Sequence, residues 1–384
     1  MSTIRQSPAS TPGARSLDRK VIAVAAGGTG GHIYPALAVA DELSARGHRV
    51  VFFGCDDRME TRIIPAHGYP LHTSRIHGAV GLRAVLGLPG RLVTAGARAA
   101  RTLKDVGADL VLGMGGYPSA PALLGGALLR LPLLVHESNA VFGLSNRFAR
   151  VLGAHLALRK APDPGERPLR RARVTGLPLM PGITTLDRAA LRSEARRHFG
   201  LPESAVVIAV IGGSLGSRAI NQAAAELGTR WNGRPDRHLL IKTGGQPVMS
   251  AVSGTVSEVA YLDRMDLAYA AADVFVTRAG AATLAELEHL GLPAVVVPLP
   301  HSAGGHQLAN ATEFARHRPA VVLEERHLTA TSLEEGIDTL LAGTARPGER
   351  RSHHAAARDL ADWALELIDT APHPRSTSTS TSHR

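Results

Sequence analysis

The stretch "VIAVAAGGTGGHIYPALAVADEL" at residues 21–43 places an apolar run, a glycine-rich loop and a helix-like run in direct succession. A second stretch, "AVVIAVIGGSLGSRAINQAAAEL" at residues 205–227, repeats this plan. Both apolar runs are rich in Val and Ile and do not alternate with polar residues, which is typical of parallel strands buried on both faces. Glycine costs backbone entropy, so each loop indicates that a partner must approach the main chain closely.

Further apolar segments follow each of these units, with helix-like stretches between them. They are "RVVFFG" (49–54), "DLVLGMGG" (109–116), "PLLVHES" (132–138), "HLLIKTGG" (238–245), "VFVTRAG" (274–280) and "AVVVPLP" (294–300). This alternation predicts an α/β fold of two Rossmann-like, doubly wound domains that face each other across a cleft. Ligands then bind at the carboxyl ends of the strands.

The sequence also predicts domain boundaries. A segment that carries Pro and Gly, "VTGLPLMPGITTLD" (174–187), indicates a hinge, and the Ser/Thr repeat at the end indicates disorder. The predicted parts are a disordered extension (1–19), an N-terminal Rossmann-like domain (20–175), a hinge (176–187), a C-terminal Rossmann-like domain (188–345), a C-terminal helix (346–370) and a disordered tail (371–384).

Composition bounds the class of protein. Of the 384 residues, 44% are hydrophobic and 20% charged, which fits a soluble globular chain. Aromatic residues make up only 4%, and no nucleic-acid motif accompanies the net charge of +10, so we expect no nucleic-acid partner. The single cysteine, Cys55, excludes an internal disulfide. Residues 1–19 do not read as a signal peptide and no apolar run reaches transmembrane length, so we expect an intracellular chain that does not span a membrane.

The first glycine loop predicts an anion site. A glycine-rich turn that enters a helix offers free backbone N–H groups at the positive end of the helix dipole, which suits a phosphate or diphosphate. A tight turn without a ligand is the alternative. The loop is neither a Walker phosphate loop nor a dinucleotide fingerprint. His32 opens the following helix and is a candidate general base, since the dipole should lower its pKa and favour the neutral form. A structural histidine is the alternative.

The second half of the chain adds polar groups to two more helix starts. Ser214 lies in the loop "GGSLGSR" (212–218) and adds a hydroxyl. Glu286 lies in "RAGAATLAEL" (278–287), where a carboxylate could accept two hydrogen bonds from a ribose diol, or could merely stabilise the helix dipole.

The start of one more predicted helix carries polar side chains, at residues 306–307. His306 and Gln307 suit sugar hydroxyls, although such residues are more often caps or turns. No Asp-x-Asp pair follows a strand, and Asp56 and Asp57 are adjacent, so we expect no metal site and no cofactor.

Seven short motifs, in their order and spacing over residues 20–345, resemble the MurG family. They are "GGTGGHIYPALAVA", "DDRMETRIIPAHG", "GMGGYPSAP", "HESNAVFGLSNR", "GGSLGSRAIN", "RAGAATLAEL" and "GHQLANA". Members of that family are inverting glycosyltransferases of the GT-B fold. They transfer GlcNAc from UDP-GlcNAc to undecaprenyl-diphosphate-MurNAc-pentapeptide (lipid I) and make lipid II for peptidoglycan. The resemblance implies UDP-GlcNAc and a lipid-linked diphosphate acceptor as partners. It also implies that residues 20–175 form the acceptor and membrane domain and residues 188–345 the UDP-sugar domain.

The resemblance also implies site residues. It implies that His32 is the base, that Glu286 holds the ribose, and that Leu262 meets the uracil through its backbone. Ser214 would contact the donor diphosphate and Gln307 the sugar hydroxyls. The implied donor-binding set is Thr29, Gly30, Gly31, Asn139, Ser214, Leu262, Ala281, Ala282, Thr283, Leu284, Ala285, Glu286 and Gln307.

Three positions depart from the family pattern. Met180 replaces the arginine of "GNPVR", Leu215 replaces the glutamine of "GGSQG", and Ser138 replaces the glutamine of "HEQN". Loss of a cation beside a diphosphate should weaken binding by roughly 1–3 kcal/mol unless another arginine, such as Arg218, covers the charge. The donor and the acceptor therefore stay open, and a related transferase for another polyprenyl or phosphoglycolipid acceptor is the alternative. Two alternatives belong to other functional classes. One is a non-catalytic protein that binds a sugar nucleotide, and the more remote one is a nicotinamide dehydrogenase.

The segment "RIHGAVGLRAVLGLPGRLVTAGARAARTLK" (75–104) predicts contact with a membrane. It mixes apolar residues with basic ones, among them Arg75, Arg83 and Arg91. Basic residues near an anionic surface contribute roughly 1 kcal/mol each. An ordinary surface helix is the alternative. We expect a peripheral protein on the cytoplasmic side of the cell membrane, bound to its anionic surface.

Overall fold

The computed structural model describes residues 19–75, 82–162, 169–213, 216–245, 254–343, 353 and 355–371. Within these residues, two parallel sheets are each covered by helices on both faces. The first sheet has the order β3-β2-β1-β4-β5-β6-β7. Its strands are β1 (Val21–Ala25), β2 (Arg49–Cys55), β3 (Leu71–Ser74), β4 (Leu110–Gly113), β5 (Leu133–Glu137), β6 (His155–Leu158) and β7 (Ala172–Val174).

The second sheet has the order β10-β9-β8-β11-β12-β13. Its strands are β8 (Val206–Ile211), β9 (Arg237–Lys242), β10 (Val256–Val259), β11 (Val274–Thr277), β12 (Ala294–Val296) and β13 (Ala320–Val322). The helices are α1 (Gly30–Ala45), α2 (Glu60–Ala66), α3 (Leu82–Val106), α4 (Ala120–Leu128), α5 (Leu144–Val151), α6 (Pro181–Thr184), α7 (Arg188–His198), α8 (Arg218–Arg230), α9 (Met265–Ala271), α10 (Ala281–Leu290), α11 (His306–His317), α12 (Ala330–Leu341) and α13 (Ala356–Thr370).

The strand order creates a topological switch point in each sheet. In the first sheet β1 pairs with both β2 and β4, with Ile22 opposite Leu110. In the second, β8 pairs with both β9 and β11, with Ile208 opposite Val274. The chain reverses its direction of winding between these neighbours, which opens a crevice at the carboxyl ends of the strands. Both glycine-rich loops lie at these ends, since one follows β1 and the other follows β8.

The cores explain the unalternating apolar runs. Every residue of β1 is buried, because α1 and α13 cover one face of the first sheet and α3 and α4 cover the other. Helix α13 returns from the second half of the chain and adds Leu360, Trp363 and Leu367 to the core that contains Ile22. The chain therefore crosses between the two halves twice, once before α7 and once before α13.

Helix α3 packs closely on α4 and leaves one side exposed. A Cβ on Gly96 would lie 2.6 Å from the Leu124 side chain, and a Cβ on Gly125 would lie 2.7 Å from the Ala100 backbone nitrogen. Glycine at both positions therefore permits the contact. Among the described residues, no helix combines the length and apolarity needed to cross a bilayer.

Candidate active site

A cleft of about 1950 Å³ lies between the carboxyl ends of the two sheets, and loops from both domains line it. This volume exceeds the roughly 300–1,000 Å³ of ordinary small-molecule pockets. The cleft therefore has room for a sugar nucleotide together with part of an acceptor. The sequence-predicted residues on its wall are Thr29, Gly30, Gly31, His32, Asn139, Leu262, Ala281, Ala282, Thr283, Glu286 and Gln307.

His32 lies at the switch point of the first domain, on the first turn of α1. Its Nδ1 is 3.4 Å from Thr29 Oγ1, and burial lowers the pKa of the ring, partly opposed by a hydrogen bond to the Gly27 backbone. The loop after β4 approaches the ring because Gly115 and Gly116 have positive φ, and a Cβ on Gly115 would lie 3.0 Å from His32 Cδ2. The site therefore holds a neutral histidine, which can accept a proton.

Glu60 fixes the first glycine loop, although the sequence analysis did not single it out. Its buried carboxylate accepts hydrogen bonds from the backbone N–H groups of Gly28 and Cys55, both at 3.1 Å. A Cβ on Gly27 would lie 2.2 Å from Glu60 Oε1, so the loop needs glycine there. The only local signal was an acidic residue beside the apolar positions of "METRII".

Glu137, at the end of β5, organises the next loop of the first domain. Its carboxylate accepts hydrogen bonds from Asn139 N (3.0 Å), Gly143 N (2.8 Å) and Asn146 Nδ2 (2.9 Å). These bonds fix the turn that presents Asn139 to the cleft. The motif "HESN" contained this acid, but its role as a loop anchor depends on contacts that the sequence does not show.

Glu286 faces the cleft from α10. The Tyr269 hydroxyl donates a hydrogen bond to its carboxylate, and burial raises the pKa of Glu286 to about 7. Within the described ranges, no side chain caps the start of α10 at Gly280, which leaves the first-turn N–H groups available. Leu284 and Ala285 do not line the cleft, because the helix turns them into the core of the second domain.

Gln307 faces the cleft from the first turn of α11, in a fixed orientation. Its Oε1 accepts hydrogen bonds from Ala279 N (3.2 Å) and Leu299 N (2.9 Å). This side chain therefore holds two loops with its oxygen and keeps its NH₂ group as the donor for a ligand.

Three cations line the second-domain wall near the loop after β8, at Arg218, Lys242 and Arg278. Lys242 Nζ donates a hydrogen bond to Gly213 O at 2.8 Å, and burial lowers the pKa of Lys242. Arg218 was predicted from the sequence, whereas Lys242 and Arg278 were not, because their proximity depends on the strand order. Met180 also lines the cleft, so the wall is apolar where the family pattern has an arginine.

Two of the remaining predicted positions cannot be placed in full. Ser214 lies outside the described residues, as does the side chain of Arg83. Arg278 Nη2 donates a hydrogen bond to Ser217 Oγ at 2.7 Å, so the described part of that loop contacts a cation. Arg91 is exposed, and Arg75 is exposed and forms an ion pair with Asp56 at 3.1 Å.

Comparison with known proteins agrees with this architecture. The N-terminal domain of glycosyltransferase family 28 matches residues 22–154, and the C-terminal domain of that family matches residues 207–364. The crystal structure of Acinetobacter baumannii MurG superposes with a TM-score of 0.69 at 26% identity, over 91% of this chain and 99% of that one. A glycotransferase of kitacinnamycin shares the fold, with a TM-score of 0.68 at 19% identity over 91% of this chain and 99% of that one.

Two sequence relatives carry the same name, UDP-N-acetylglucosamine–N-acetylmuramyl-(pentapeptide) pyrophosphoryl-undecaprenol N-acetylglucosamine transferase. The protein of Mycolicibacterium vanbaalenii is 39% identical over 91% of this chain and 90% of its own length. The protein of Saccharopolyspora erythraea is 40% identical over 90% of this chain and 94% of its own length. Fold, cleft and relatives define a two-domain glycosyltransferase of the GT-B class, which confirms the predicted fold class. Within that class, the chain belongs to the MurG family.

Proposed function

We propose that this protein transfers GlcNAc from UDP-GlcNAc to undecaprenyl-diphosphate-MurNAc-pentapeptide, with inversion, and so makes lipid II for peptidoglycan synthesis. The observation that carries the proposal is the convergence of His32 from one domain with Glu286 and Gln307 from the other on a single cleft. The names of the relatives support the same donor and acceptor.

The second domain would hold the donor. The uracil would meet the backbone at Leu262, the ribose diol would donate hydrogen bonds to Glu286, and the Gln307 NH₂ group would donate to a sugar hydroxyl. The diphosphate would lie at the loop that contains Ser214 and the start of α8, where backbone N–H groups and the helix dipole favour an anion. Lys242 would add positive charge there, and Arg278, which forms an ion pair with Glu325, would add a further guanidinium donor.

The reaction would join the two sides of the cleft. The acceptor hydroxyl attacks the anomeric carbon of GlcNAc, the bond from that carbon to the diphosphate oxygen breaks, and UDP leaves. His32, neutral because burial lowers its pKa, takes the hydroxyl proton. Thr29, Gly30, Gly31 and Asn139, assigned to donor binding by the family resemblance, lie on the first-domain wall and would meet the donor sugar where it faces the acceptor. Donors and cations on the second-domain wall stabilise the negative charge that develops on UDP.

We also propose that the protein binds the cytoplasmic membrane surface peripherally through the exposed side of α3. Arg91 and Arg98 are exposed there beside Val93, which is 63% exposed. A lipid-linked acceptor requires such an approach, because its sugar lies just above the headgroups. Anionic lipid would attract these arginines within about a Debye length.

Met180 favours one alternative: a MurG-like transferase for another polyprenyl or phosphoglycolipid acceptor. The test is competition between acceptors. The purified protein receives UDP-GlcNAc with an equal mixture of a lipid I analogue and polyprenyl-linked acceptors that lack the pentapeptide. The proposal predicts that the lipid I analogue is consumed first. Preferential consumption of another acceptor would establish the alternative.

A further inference from the structure

Helix α11 carries a row of three polar side chains that hold loops on both sides of the cleft. The row consists of Gln307, Asn310 and Glu313, and residues three apart lie on neighbouring turns of one side of a helix. Gln307 accepts the hydrogen bond from the Ala279 N–H, and Ala279 lies in the loop that leads into α10. The first member of the row therefore holds the donor side of the cleft.

Asn310 bridges the two domains through its side-chain amide. It is 1% exposed, and its Nδ2 donates hydrogen bonds to Asn139 Oδ1 and to the Ala279 carbonyl oxygen, both at 3.1 Å. Its Oδ1 accepts a hydrogen bond from the Ala140 N–H at 2.7 Å. One buried amide thus joins the loop before α10 to the loop after β5.

Glu313 extends the contact by one more turn. Its carboxylate forms an ion pair with Arg159 at 2.6 Å, and both side chains are at most 6% exposed. Arg159 follows β6 of the first domain, and Glu288 of α10 lies 3.9 Å from its guanidinium. A buried ion pair tolerates little misalignment. Helix α11 therefore contacts the first domain at two successive turns, through Asn310 and Glu313.

We propose that Asn310 is a positioning residue through which α11 transmits donor binding to the acceptor side of the cleft. The inference rests on the proposed function, because it assigns the donor to Gln307 and the start of α10. A donor sugar bound by the Gln307 NH₂ group restrains Ala279 through the same side chain. Since the Ala279 carbonyl and Asn139 Oδ1 share the Asn310 amide, that restraint orders Asn139 where the acceptor would bind.

The decisive variant is Asn310→Asp. Its carboxylate keeps the acceptor for the Ala140 N–H and removes both N–H donors, with almost no change in volume. Loss of two hydrogen bonds predicts a decrease of kcat by roughly 10- to 100-fold, with the KM for UDP-GlcNAc changed by less than about threefold. Asn139→Ala breaks the same cross-domain bond from the other side and serves if Asn310→Asp folds poorly.

Three further measurements separate positioning from a merely structural role. Both substitutions act through one hydrogen bond. The kcat of the double variant, Asn139→Ala with Asn310→Asp, should therefore be no lower than that of the more impaired single variant. Donor addition should slow hydrogen exchange of the Ala140 amide in the natural protein and not in Asn310→Asp. Asn232→Asp makes the same chemical change at an exposed position and should alter none of these values.

Several results would overturn the inference. These are an unchanged kcat in Asn310→Asp, multiplicative losses in the double variant, or donor protection of Ala140 that persists in Asn310→Asp. If the natural protein transfers no sugar at all, the proposed function fails, and the exchange measurement with UDP-GlcNAc alone still decides whether α11 couples the two loops.

Discussion

The pKa of a single carboxyl group, that of Glu286, sets how donor binding should depend on pH. Burial raises this pKa to about 7, and the ribose diol needs the ionised form as its acceptor. Below pH 7 a proton must leave Glu286 before the donor binds, so affinity should fall as the pH falls. Because UDP-GlcNAc carries a diphosphate diester that does not titrate in this range, the effect belongs to the protein.

We predict that the Kd for UDP-GlcNAc rises about tenfold between pH 8 and pH 6. Isothermal titration at several pH values measures it. Glu286→Gln should weaken binding at pH 8 by roughly 1.5–3 kcal/mol and remove the pH dependence. A natural protein with the same Kd across this range would remove Glu286 from the donor site.

Substitution of Met180 allows a gain-of-function test of UDP binding. Its side chain lines the cleft in place of the cation that the family pattern provides. Met180→Arg should tighten binding of UDP by roughly threefold to tenfold and leave binding of uridine unchanged, because only UDP carries the diphosphate. Met180→Leu is the control. Equal affinities for UDP in all three proteins would show that Lys242 and Arg278 already supply the charge.

Helix α3 combines a buried side with an exposed side that carries basic residues. Gly96, Ala99 and Leu103 hold its inner side against the domain, while Arg91, Arg98 and Val93 remain exposed. The helix is therefore fixed on one side, and its basic side is free to approach a membrane. Because the attraction is electrostatic, salt should weaken it.

We predict that Arg91→Ser with Arg98→Ser weakens binding to anionic vesicles by about 2 kcal/mol, since each basic residue contributes roughly 1 kcal/mol. Vesicle sedimentation at two salt concentrations measures this. Turnover should slow with a full-length lipid acceptor and hardly change with a short-chain soluble analogue. The matched control replaces two exposed arginines of the second domain, Arg197 and Arg316, by Ser. Equal losses on both acceptors would assign the α3 arginines to acceptor binding or folding instead.

Sequence patterns predicted some of the strands and missed others. Strands β1, β2, β4, β5, β8, β9, β11 and β12 were predicted, because strands buried on both faces carry continuous runs of Val, Ile and Leu. Strands β3, β7, β10 and β13 were missed, since they are short, lie at sheet edges and are half-buried or exposed. The inner strand β6 was missed as well.

Some residues of the candidate site were likewise predicted from the sequence, and others were missed. His32, Glu286 and Gln307 follow glycine-rich helix starts, which local sequence displays. The residues that hold the surrounding loops, such as Glu60, Lys242 and Asn310, act over long sequence separations. Their contacts depend on strand order and domain packing, which motif spacing does not encode.

At the scale of the whole molecule, a buried cluster of charges fixes the two domains together. Arg159 from the first domain contacts Glu288 and Glu313 from the second. His353, which precedes α13, adds a third connection: its Nδ1 accepts a hydrogen bond from the Leu177 N–H, and its Nε2 lies 3.4 Å from Glu288. Removal of Arg159 would leave the carboxylates of Glu288 and Glu313 buried without enough positive charge to compensate them.

We predict that Arg159→Met lowers the free energy of unfolding by roughly 3–5 kcal/mol. Urea unfolding followed by fluorescence tests this, since Trp363 reports on the first domain and Trp231 on the second. The control is Arg234→Met, which breaks an exposed pair with Asp236 and should cost less than about 1 kcal/mol. Equal small losses in both variants would show that the cluster does not hold the domains together.

In the proposed reaction, the cleft joins a sugar from UDP-GlcNAc to a lipid-linked acceptor. The most direct measurement quantifies UDP release and acceptor mass together, with purified protein, UDP-GlcNAc and a lipid I analogue. We predict one added N-acetylhexosamine per UDP released, and a rate lower by roughly 10²- to 10⁴-fold in His32→Gln. Binding of UDP-GlcNAc without turnover, or release of free GlcNAc without a gain in acceptor mass, would contradict it.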